Sequence, residues 1–290
     1  MDPQIIVVGD LMVDVAVDSE ALRSGGDVHG EVRLRPGGSA ANAAVWAAGA
    51  GAGVRLYGRV GGDLAGGLLR RALEERGVEP ELTVDPDAAT GTMLVVREAG
   101  ERSMVANRGA NAGLSPRDLP PRLAADAVLV SGYITLHHES EPASRAALER
   151  AEARWVAVDA ASWPLLEDFG PVAFRKATAG ANLLLANERE ARTLSGIEDP
   201  AEAARDLARH YGTVAVKLGA AGAILAGDVG EIRASSPPIH EVDPTGAGDA
   251  FDGVLLASLA RGADSADALR MACEAGSHSA ASADPWPEAV

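Results

Sequence analysis

Beyond residue 127 the chain repeats one pattern, a short apolar run followed by a stretch of helix-forming residues. The apolar runs are VLVSG, WVAVDA, NLLLAN and TVAVKL, at residues 128–132, 155–160, 182–187 and 213–218. Because these runs are apolar at nearly every position, they are typical of strands that are buried on both faces of a sheet. Helix-forming stretches, such as residues 141–153 and 201–211, separate them. This alternation predicts an α/β fold with a largely parallel sheet covered by helices on both faces.

The N-terminal part predicts more of the same sheet and a small addition to it. Further strands are expected at residues 4–8 and 54–60, a hairpin at 223–239, and helices at 39–48, 64–76, 188–194, 248–260 and 264–281, with Ser39 as the N-cap of the first. Residues 12–17 alternate like a more exposed strand, and β-like segments at 92–96 and 103–107 form a second hairpin signal. Few helices are available to cover these segments, so we expect one domain with a small β appendage.

Charge and cysteine content exclude several classes of protein. The chain carries 26 Lys and Arg against 42 Asp and Glu, a formal net charge of −16, whereas a nucleic-acid-binding protein needs a clustered excess of positive charge. Cys273 is the one cysteine, which excludes a disulfide framework and suits a reducing compartment. The sequence has no signal-peptide pattern and no apolar stretch of about 18 residues, so we expect a cytoplasmic protein with no membrane segment.

The lysines bear on nucleotide binding. The sequence contains only Lys176 and Lys217, and neither stands in the Gly-Lys-Ser/Thr order that a Walker A loop requires. If the protein binds ATP, it therefore does so without a P-loop.

Residues 243–249, Asp-Pro-Thr-Gly-Ala-Gly-Asp, form a glycine-rich loop that opens onto a predicted helix. Backbone N–H groups at such a helix N-terminus bind anions without any lysine. Asp249 lies in the first helical turn, where the helix dipole is expected to lower the pKa of a carboxyl. A carboxylate there is placed to accept a proton from a hydroxyl beside a bound phosphate. By spacing, the loop is equally compatible with a plain strand-to-helix turn in which Asp249 offsets the dipole.

A second glycine-rich loop, residues 37–42, enters the helix at 39–48. Its small residues are compatible with close packing as well as with ligand binding, but the amide of Asn42 among alanines suits the recognition of a hydroxyl. Asp10 and Asp14 follow the first strand, and the carboxyl ends of parallel strands gather ligands. Either acid is also compatible with a solvated turn.

Together these motifs resemble those of the PfkB-type, ribokinase-like carbohydrate kinases, and the resemblance covers nearly the whole chain. Residues 243–249 are similar to the C-terminal signature of that family, and residues 37–42 with 58–63 (Gly-Arg-Val-Gly-Gly-Asp) are similar to its N-terminal one. Residues 187–190 (Asn-Glu-Arg-Glu) fit its Asn-x-x-Glu element, and residues 216–222 fit the strand and turn beside its nucleotide. The four elements occur in the family's order and spacing.

The resemblance implies roles for the matching residues. Asp249 would be the general base that activates a sugar hydroxyl, and an anion hole would hold the transferred phosphoryl group. The residues implied at each ligand are Gly246, Ala247 and Gly248 at the anion hole, Asn187 and Glu190 at Mg²⁺ through water, Lys217, Gly219, Gly222 and Thr245 at ATP, and Asp10, Asp14, Gly38 and Asn42 at the sugar.

Three places depart from the family pattern. Met12 stands where true ribokinases carry an asparagine, which argues against ribose as the substrate. Arg108 lies where the appendage returns to the body, a position from which it would meet an acidic or phosphorylated substrate, or else remain solvated. Asp243 and Thr245 keep part of the potassium (K⁺) site that the resemblance implies, but residues 282–290 lack the longer final loop of many members.

Members of this family carry a β-strand lid over the substrate, which in many of them pairs with a second subunit. In this chain the lid would consist of about residues 13–35 and 90–107, inserted in a single domain of residues 1–290. The implied assembly is a homodimer formed through the lid.

The sequence thus predicts an ATP-dependent kinase that transfers the γ-phosphoryl group of Mg·ATP to a hydroxyl of a small sugar or sugar acid, a primary hydroxyl being the expected one. One alternative is a nucleoside kinase of the same family, whose larger substrate would require aromatic residues that are scarce here. Another is a non-catalytic sugar or nucleotide sensor, which would have no need of Asp249, Asn187 and Glu190 together.

Overall fold

A computed structural model describes residues 2–19, 25–98, 101–284 and 286–287 of the chain. The strands are β1 (Gln4–Val8), β2 (Met12–Ser19), β3 (Glu31–Gly37), β4 (Gly53–Gly61), β5 (Val78–Asp85), β6 (Gly91–Glu98), β7 (Glu101–Asn107), β8 (Leu123–Ala124), β9 (Ala127–Val130), β10 (Ala151–Glu152), β11 (Trp155–Asp159), β12 (Leu183–Asn187), β13 (Thr213–Lys217), β14 (Ala223–Gly227) and β15 (Gly230–Ala234). The helices are α1 (Ser39–Gly49), α2 (Leu64–Glu75), α3 (Gly132–Thr135), α4 (Glu141–Arg150), α5 (Trp163–Phe169), α6 (Pro171–Ala177), α7 (Glu188–Ser195), α8 (Pro200–Tyr211), α9 (Ala247–Ala260) and α10 (Ser265–Ala280). No helix in these ranges is both long and apolar enough to cross a membrane.

The large sheet has nine strands in the order β15-β14-β13-β12-β11-β9-β1-β4-β5. The seven strands from β13 to β5 pair in parallel, whereas β14 pairs antiparallel with β13 and with the edge strand β15. A parallel sheet brings the carboxyl ends of its strands to one edge, where open α/β folds bind their ligands. The predicted fold class is therefore confirmed.

Each face of this sheet has its own hydrophobic core. Along β1, Ile5 and Val7 belong to the cluster that includes residues of α1, α2, α9 and α10, whereas Ile6 and Val8 belong to the cluster on the α3 to α8 side. Successive side chains of a strand point to opposite faces, so a strand covered on both sides is apolar at every position. This is the physical origin of the continuous apolar runs in the sequence.

A separate four-stranded sheet has the order β3-β2-β6-β7. Strands β2 and β3, and likewise β6 and β7, pair antiparallel, whereas β2 and β6 pair in parallel. These strands correspond to the predicted β appendage, of which residues 20–24 and 99–100 lie outside the described residues. Only residues 9–11 separate β2 from β1, and β3 leads directly into α1, so the small sheet is joined to the carboxyl edge of the large one.

Helices α1 and α9 pack closely because small residues line their contact. A Cβ atom on Gly253 of α9 would lie 2.3 Å from the carbonyl oxygen of Ala43 and 3.0 Å from the amide nitrogen of Ala47, both on α1. Residues 40–47 of α1 and 250–259 of α9 are all buried. The alanine-rich composition of both helices thus reflects a backbone-to-backbone contact rather than helix propensity.

Three local differences from the predicted elements have physical causes. Strand β5 was not predicted, because Glu79, Pro80 and Glu81 weaken its β pattern, but an edge strand paired only with β4 tolerates them. The helix expected at 141–153 ends at Arg150, since residues 151–152 pair with β8. The prediction that Ser39 caps α1 is wrong: Gly38 is the N-cap.

We expect Gly253→Ala to lower the free energy of unfolding by about 1–3 kcal/mol, because its methyl group would overlap backbone atoms of α1. Gly67→Ala on the exposed face of α2 is the matched control, since no atom lies within 4 Å of the added methyl group. That substitution should raise the stability by about 0.5–1 kcal/mol through helix propensity. Urea denaturation of both variants provides the measurement, and equal stabilities would contradict the packing argument.

Candidate active site

The carboxyl edge of the large sheet collects polar side chains from successive strands. Asp10 follows β1 and Ser131 follows β9, whereas Asp159, Asn187 and Lys217 are the last residues of β11, β12 and β13. Since parallel strands end at the same edge, side chains far apart in the sequence meet there. The first turns of α1 and α9 reach this edge as well.

Asp249, in the first turn of α9, is held by two side chains of α1. The Ser39 hydroxyl donates to Oδ1 of Asp249 at 2.7 Å, and Nδ2 of Asn42 donates to Oδ2 at 2.7 Å. The hydroxyl that was predicted to cap α1 thus binds this carboxylate instead. Each carboxylate oxygen keeps a further lone pair for another partner.

The expectation that the helix dipole lowers the pKa of Asp249 is wrong in sign. Loss of solvent raises the pKa of its carboxyl to about 7, the hydrogen bond from Asn42 lowers it, the charge of Asp159 raises it, and Ser39 and Lys217 lower it. Desolvation outweighs the dipole because the carboxyl lies against protein atoms on most sides. A carboxyl that titrates near neutral pH is suited to general-base chemistry.

The loop before α9, predicted to bind an anion, makes a tight turn at Gly246. Gly246 is the N-cap of α9 with φ of 79°, a left-handed conformation that glycine adopts without strain. Oδ1 of Asp243 accepts hydrogen bonds from the amide (3.1 Å) and the hydroxyl (2.6 Å) of Thr245, which stabilises the turn. The Ala247 amide donates to the Pro244 carbonyl at 3.2 Å. Of the three amides predicted for the anion hole, that of Ala247 therefore has a competing acceptor.

Lys217 forms the centre of a buried ion-pair cluster. Its Nζ atom lies 2.8 Å from Oδ2 of Asp252 and 3.3 Å from Oδ2 of Asp159. Burial disfavours the ammonium charge, but Asp252 and Asp159 outweigh it and raise the pKa of Lys217. A Cβ atom on Gly248 would lie 3.5 Å from Nζ, so this charge sits against the first turn of α9. The predicted contact of Lys217 with the nucleotide remains a prediction.

Asn187 and Glu190 form a reciprocal capping box at the start of α7. The Glu190 carboxylate accepts from the Asn187 amide at 2.7 Å and from its Nδ2 at 2.6 Å, and the Glu190 amide donates to Oδ1 of Asn187 at 3.0 Å. Burial, followed by the charge of Asp159, raises the pKa of Glu190 to about 7. The two residues are thus rigidly placed at the site edge, with carboxylate and amide oxygens that suit a hard cation.

The donor chemistry of this edge fits Mg²⁺ bound through water and phosphate. Asp159, Glu190 and Asp252 contribute three carboxyl groups in addition to the base candidate Asp249, and Lys217 contributes the one ammonium among them. Within the described residues no group of three His, Cys, Asp or Glu side chains is arranged to hold a metal ion. Mg²⁺ commonly uses few protein ligands and takes the rest from water and substrate phosphates.

The residues predicted at the sugar are brought to the same edge by different constraints. Asp10 is buried, and its two oxygens accept from the Ser39 amide (3.0 Å) and the Ser131 hydroxyl (2.7 Å), so it is not a solvated turn residue. A Cβ on Gly38, whose φ is 98°, would lie 2.7 Å from the Asp10 carbonyl oxygen. Gly38 therefore allows α1 to start against the end of β1.

Asp14 is half-buried on β2, opposite Arg35 of β3. Nη1 of the buried Arg35 side chain lies 3.9 Å from Oδ2 of Asp243, so the acid predicted for potassium has a cationic partner. Arg108, also predicted at the substrate, donates to the Ser140 hydroxyl at 2.7 Å and lies 3.6 Å from Glu139. Burial lowers the pKa of Arg108, while Glu139 and Asp10 raise it.

The two glycines predicted at the nucleotide shape the turn after β13. Gly219 begins a single 3₁₀ turn that Gly222 ends as its C-cap, and the Leu218 amide donates to the Gly222 carbonyl at 2.8 Å. This turn follows Lys217 and stands at the carboxyl edge, as the resemblance implies, although its contact with ATP stays a prediction.

Four residues of the site were missed in the sequence. Asp159 ends a predicted strand, and Asp252 lies one helical turn beyond Asp249, so position along these elements would have indicated both. No local pattern points to Arg35 or to Trp286, whose indole Nε1 donates to Oδ1 of Asn42 at 2.7 Å. Their contacts join segments that lie more than 200 residues apart in the sequence.

Known proteins share this arrangement of sequence and fold. The profile of the pfkB family carbohydrate kinases matches residues 2–285. Ribokinase of Mus musculus is 31% identical over 269 residues, which cover 88% of this chain and 81% of that protein. The 2-dehydro-3-deoxygluconokinase of Thermoproteus tenax is 33% identical over 251 residues, which cover 82% of this chain and 77% of that protein.

The fold agrees with these matches. The crystal structure of adenosine kinase from Sinorhizobium meliloti superposes with a TM-score of 0.88 at 21% identity, covering 99% of this chain and 96% of that one. The match to the family profile extends over nearly all of the chain, and its curated relatives are kinases. The chain therefore belongs to the pfkB family of carbohydrate kinases and is a phosphotransferase with an alcohol group as acceptor.

Proposed function

We propose that this kinase transfers the γ-phosphoryl group of Mg·ATP to a hydroxyl, a primary one, of a small sugar or sugar acid. The observation that carries the proposal is Asp249: two side chains of α1 hold its carboxylate beside the N-terminal turn of α9. A proton acceptor and an anion-binding turn thus lie within one helical turn of each other.

The general base acts on the acceptor hydroxyl. One carboxylate oxygen of Asp249 accepts the hydroxyl proton while the hydroxyl oxygen bonds to the γ-phosphorus of ATP. The bond between this phosphorus and the β–γ bridging oxygen breaks, and ADP leaves with that electron pair. Because Ser39 and Asn42 fix the carboxylate, little reorganisation is needed when the proton moves.

Backbone amides and Mg²⁺ are proposed to offset the negative charge of the transferred phosphoryl group. The amides of Gly246 and Gly248, at the positive end of α9, are proposed to bind the phosphoryl oxygens, and the Ala247 amide joins them if it leaves the Pro244 carbonyl. Mg²⁺, when bound, neutralises the phosphates, and Asn187 with Glu190 would hold it through water. Lys217 would add positive potential beneath the turn, where its ion pairs keep it.

The nucleotide and the acceptor substrate are proposed to approach the N-terminal turn of α9 from opposite sides. The turn at Gly219 and Gly222, together with Thr245, would line the ATP side. The residues proposed at the acceptor are Asp10, Asp14, Gly38, Asn42 and Arg108. A sugar acid is among the proposed acceptors because one of the relatives is a 2-dehydro-3-deoxygluconokinase.

The small sheet is proposed to act as a lid over the acceptor and as the contact between two subunits. It leaves Val32 and Leu34 on β3 and Val105 on β7 more than half exposed, at 62%, 62% and 65%. Side chains two residues apart on a strand share a face, so Val32 and Leu34 present one apolar surface. A second copy of the sheet would cover it.

We expect Asp249→Asn to lower kcat by about 10²- to 10⁴-fold, because the amide cannot accept the hydroxyl proton. ATP affinity, measured by calorimetry, should stay unchanged. Asp267→Asn is the matched control, since Asp267 lies exposed in the first turn of α10; it should retain full activity. Substantial turnover by Asp249→Asn would remove Asp249 as the base.

The substrate class is tested by ADP release with a panel of pentoses, hexoses, ketoses, sugar acids and nucleosides. We expect the highest kcat/KM with a sugar or sugar acid. A preference for nucleosides would identify the alternative kinase, and ligand binding without ADP release from any compound would identify a sensor.

The pH dependence of kcat/KM should report Asp249. Its carboxyl, with a pKa of about 7, is active when ionised, so kcat/KM should fall about tenfold per unit below that pKa and level off above it. Glu190 titrates in the same range. Glu190→Gln removes that group, and the acid limb should persist at a lower overall rate; its disappearance would assign the limb to Glu190.

The lid contact is tested by Val32→Asp/Leu34→Asp, which should convert a homodimer to a monomer in light scattering. Val172→Asp on α6 is the control, since Val172 is exposed to a similar extent, 58%, outside the lid. A wild-type protein that is monomeric at micromolar concentration would overturn this part of the proposal.

A further inference from the structure

Trp286 packs against α1, the helix whose side chains hold Asp249, the proposed general base. The residue is buried, at 4% exposure, and its Nε1 donates to Oδ1 of Asn42 at 2.7 Å. The same amide group donates through Nδ2 to Oδ2 of Asp249 at 2.7 Å. Indole, amide and carboxylate thus form one continuous hydrogen-bonded chain.

The indole determines which way the Asn42 amide points. An indole N–H can only donate, so the atom that faces it must be the amide oxygen. The NH₂ group is then directed to the carboxylate of Asp249, which can only accept when it is ionised. Without the indole, the amide is free to rotate when Asp249 is protonated and to accept from the carboxyl O–H, which favours the neutral form of Asp249.

We propose that Trp286 is a positioning residue for catalysis, which orients the Asn42 amide so that it stabilises the ionised form of the base Asp249. The proposal rests on the proposed function of Asp249. It adds a residue outside the family motifs of the sequence and outside residues 2–285, which match the family profile.

The segment around Trp286 is anchored independently of Asn42. Nε of Arg76, which follows α2, donates to the Pro287 carbonyl at 3.0 Å, and the Arg76 guanidinium lies 6.0 Å from the centre of the indole ring. The Trp286 amide donates to Asp284 at 3.0 Å. A ring that lacks the indole N–H should therefore remain docked.

The charges around Asp249 stay the same when the indole is replaced. Asp159 at the end of β11 opposes its ionisation, and Lys217 at the end of β13 favours it. Ser39 of α1 donates to it, and the phenol of Tyr133 on α3 feels its charge. A change in the titration of Asp249 in a Trp286 variant would therefore originate at the Asn42 amide.

The test compares Trp286→Phe with the wild-type protein, both comprising residues 1–290. Because the freed Asn42 amide can then accept from a protonated Asp249, the neutral carboxyl gains a hydrogen bond and the pKa of Asp249 should rise by about one unit. The acid limb, which is the fall of kcat/KM at low pH, then shifts to higher pH. Activity therefore falls about tenfold at pH 6 and much less at pH 9. A merely structural defect would lower activity equally at both pH values, and that result would overturn the proposal.

Trp155→Phe provides a matched control. Its indole N–H is also buried but has no hydrogen-bond partner among the described residues, and it lies at the opposite end of the sheet. In Trp155→Phe the acid limb of kcat/KM should stay at the wild-type pH. An equal shift in both variants would contradict a specific role for Trp286.

A mutant cycle with Asn42→Ala tests the route of the effect. If Trp286 acts through Asn42, then Trp286→Phe should shift the limb no further in the Asn42→Ala background. Additive shifts would overturn the proposal. Thermal melting of each variant establishes that it is folded.

A readout without turnover separates this proposal from the proposed function. The carboxyl of Asp249 can be titrated by ¹³C NMR, with its signal assigned by its loss in Asp249→Asn. A shift in Trp286→Phe would support the orientation of the base even if no acceptor were phosphorylated. An unchanged titration would overturn the inference while leaving the kinase proposal intact.

Discussion

The close contact between α1 and α9 is the constraint on which the site depends. Gly253 lets the two helix backbones meet at Ala43 and Ala47, closer than any pair of side chains would allow. Both helices begin at the carboxyl edge of the sheet, and this spacing brings Ser39 and Asn42 within 2.7 Å of Asp249. The abundance of small residues is thus part of the chemistry, because it sets the distance between the carboxylate and the groups that hold it.

Electrostatics at this edge are dominated by desolvation. Four carboxyl groups lie around a single ammonium, and the pKa of Asp249 and that of Glu190 are raised to about 7 by loss of solvent and by the charge of Asp159. One ammonium cannot neutralise four carboxyl groups, so Lys217, which pairs with Asp252 and Asp159, offsets only part of their charge. A polyanionic nucleotide is therefore compatible with this edge only when it brings a divalent cation and meets backbone amides. This agrees with a phosphate site that does not depend on lysine.

Features determined by local sequence patterns were predictable from the sequence. Features determined by contacts between distant segments were not. Continuous apolar runs predicted the parallel strands, and the two glycine-rich loops indicated the starts of α1 and α9. Strand β5 was missed because its pairing with β4, rather than its composition, makes it a strand. The pKa of Asp249 was predicted with the wrong sign, since the helix dipole is visible in the sequence but the burial of a side chain is not. The capping of α1 by Ser39 failed because the hydroxyl found an acceptor 210 residues away.

The same reasoning explains why the final segment contributes more than its sequence indicates. The family profile matches residues 2–285 and so assigns no role to Trp286. In the fold, however, α1 presents Asn42 between the carboxylate of α9 and the indole of Trp286. An amide between an acceptor and a donor has one favourable orientation, whereas an amide beside a carboxylate alone has no second partner to reinforce it. The hydrogen bonds around Asp249, the proposed base, are therefore complete only when Trp286 docks against α1.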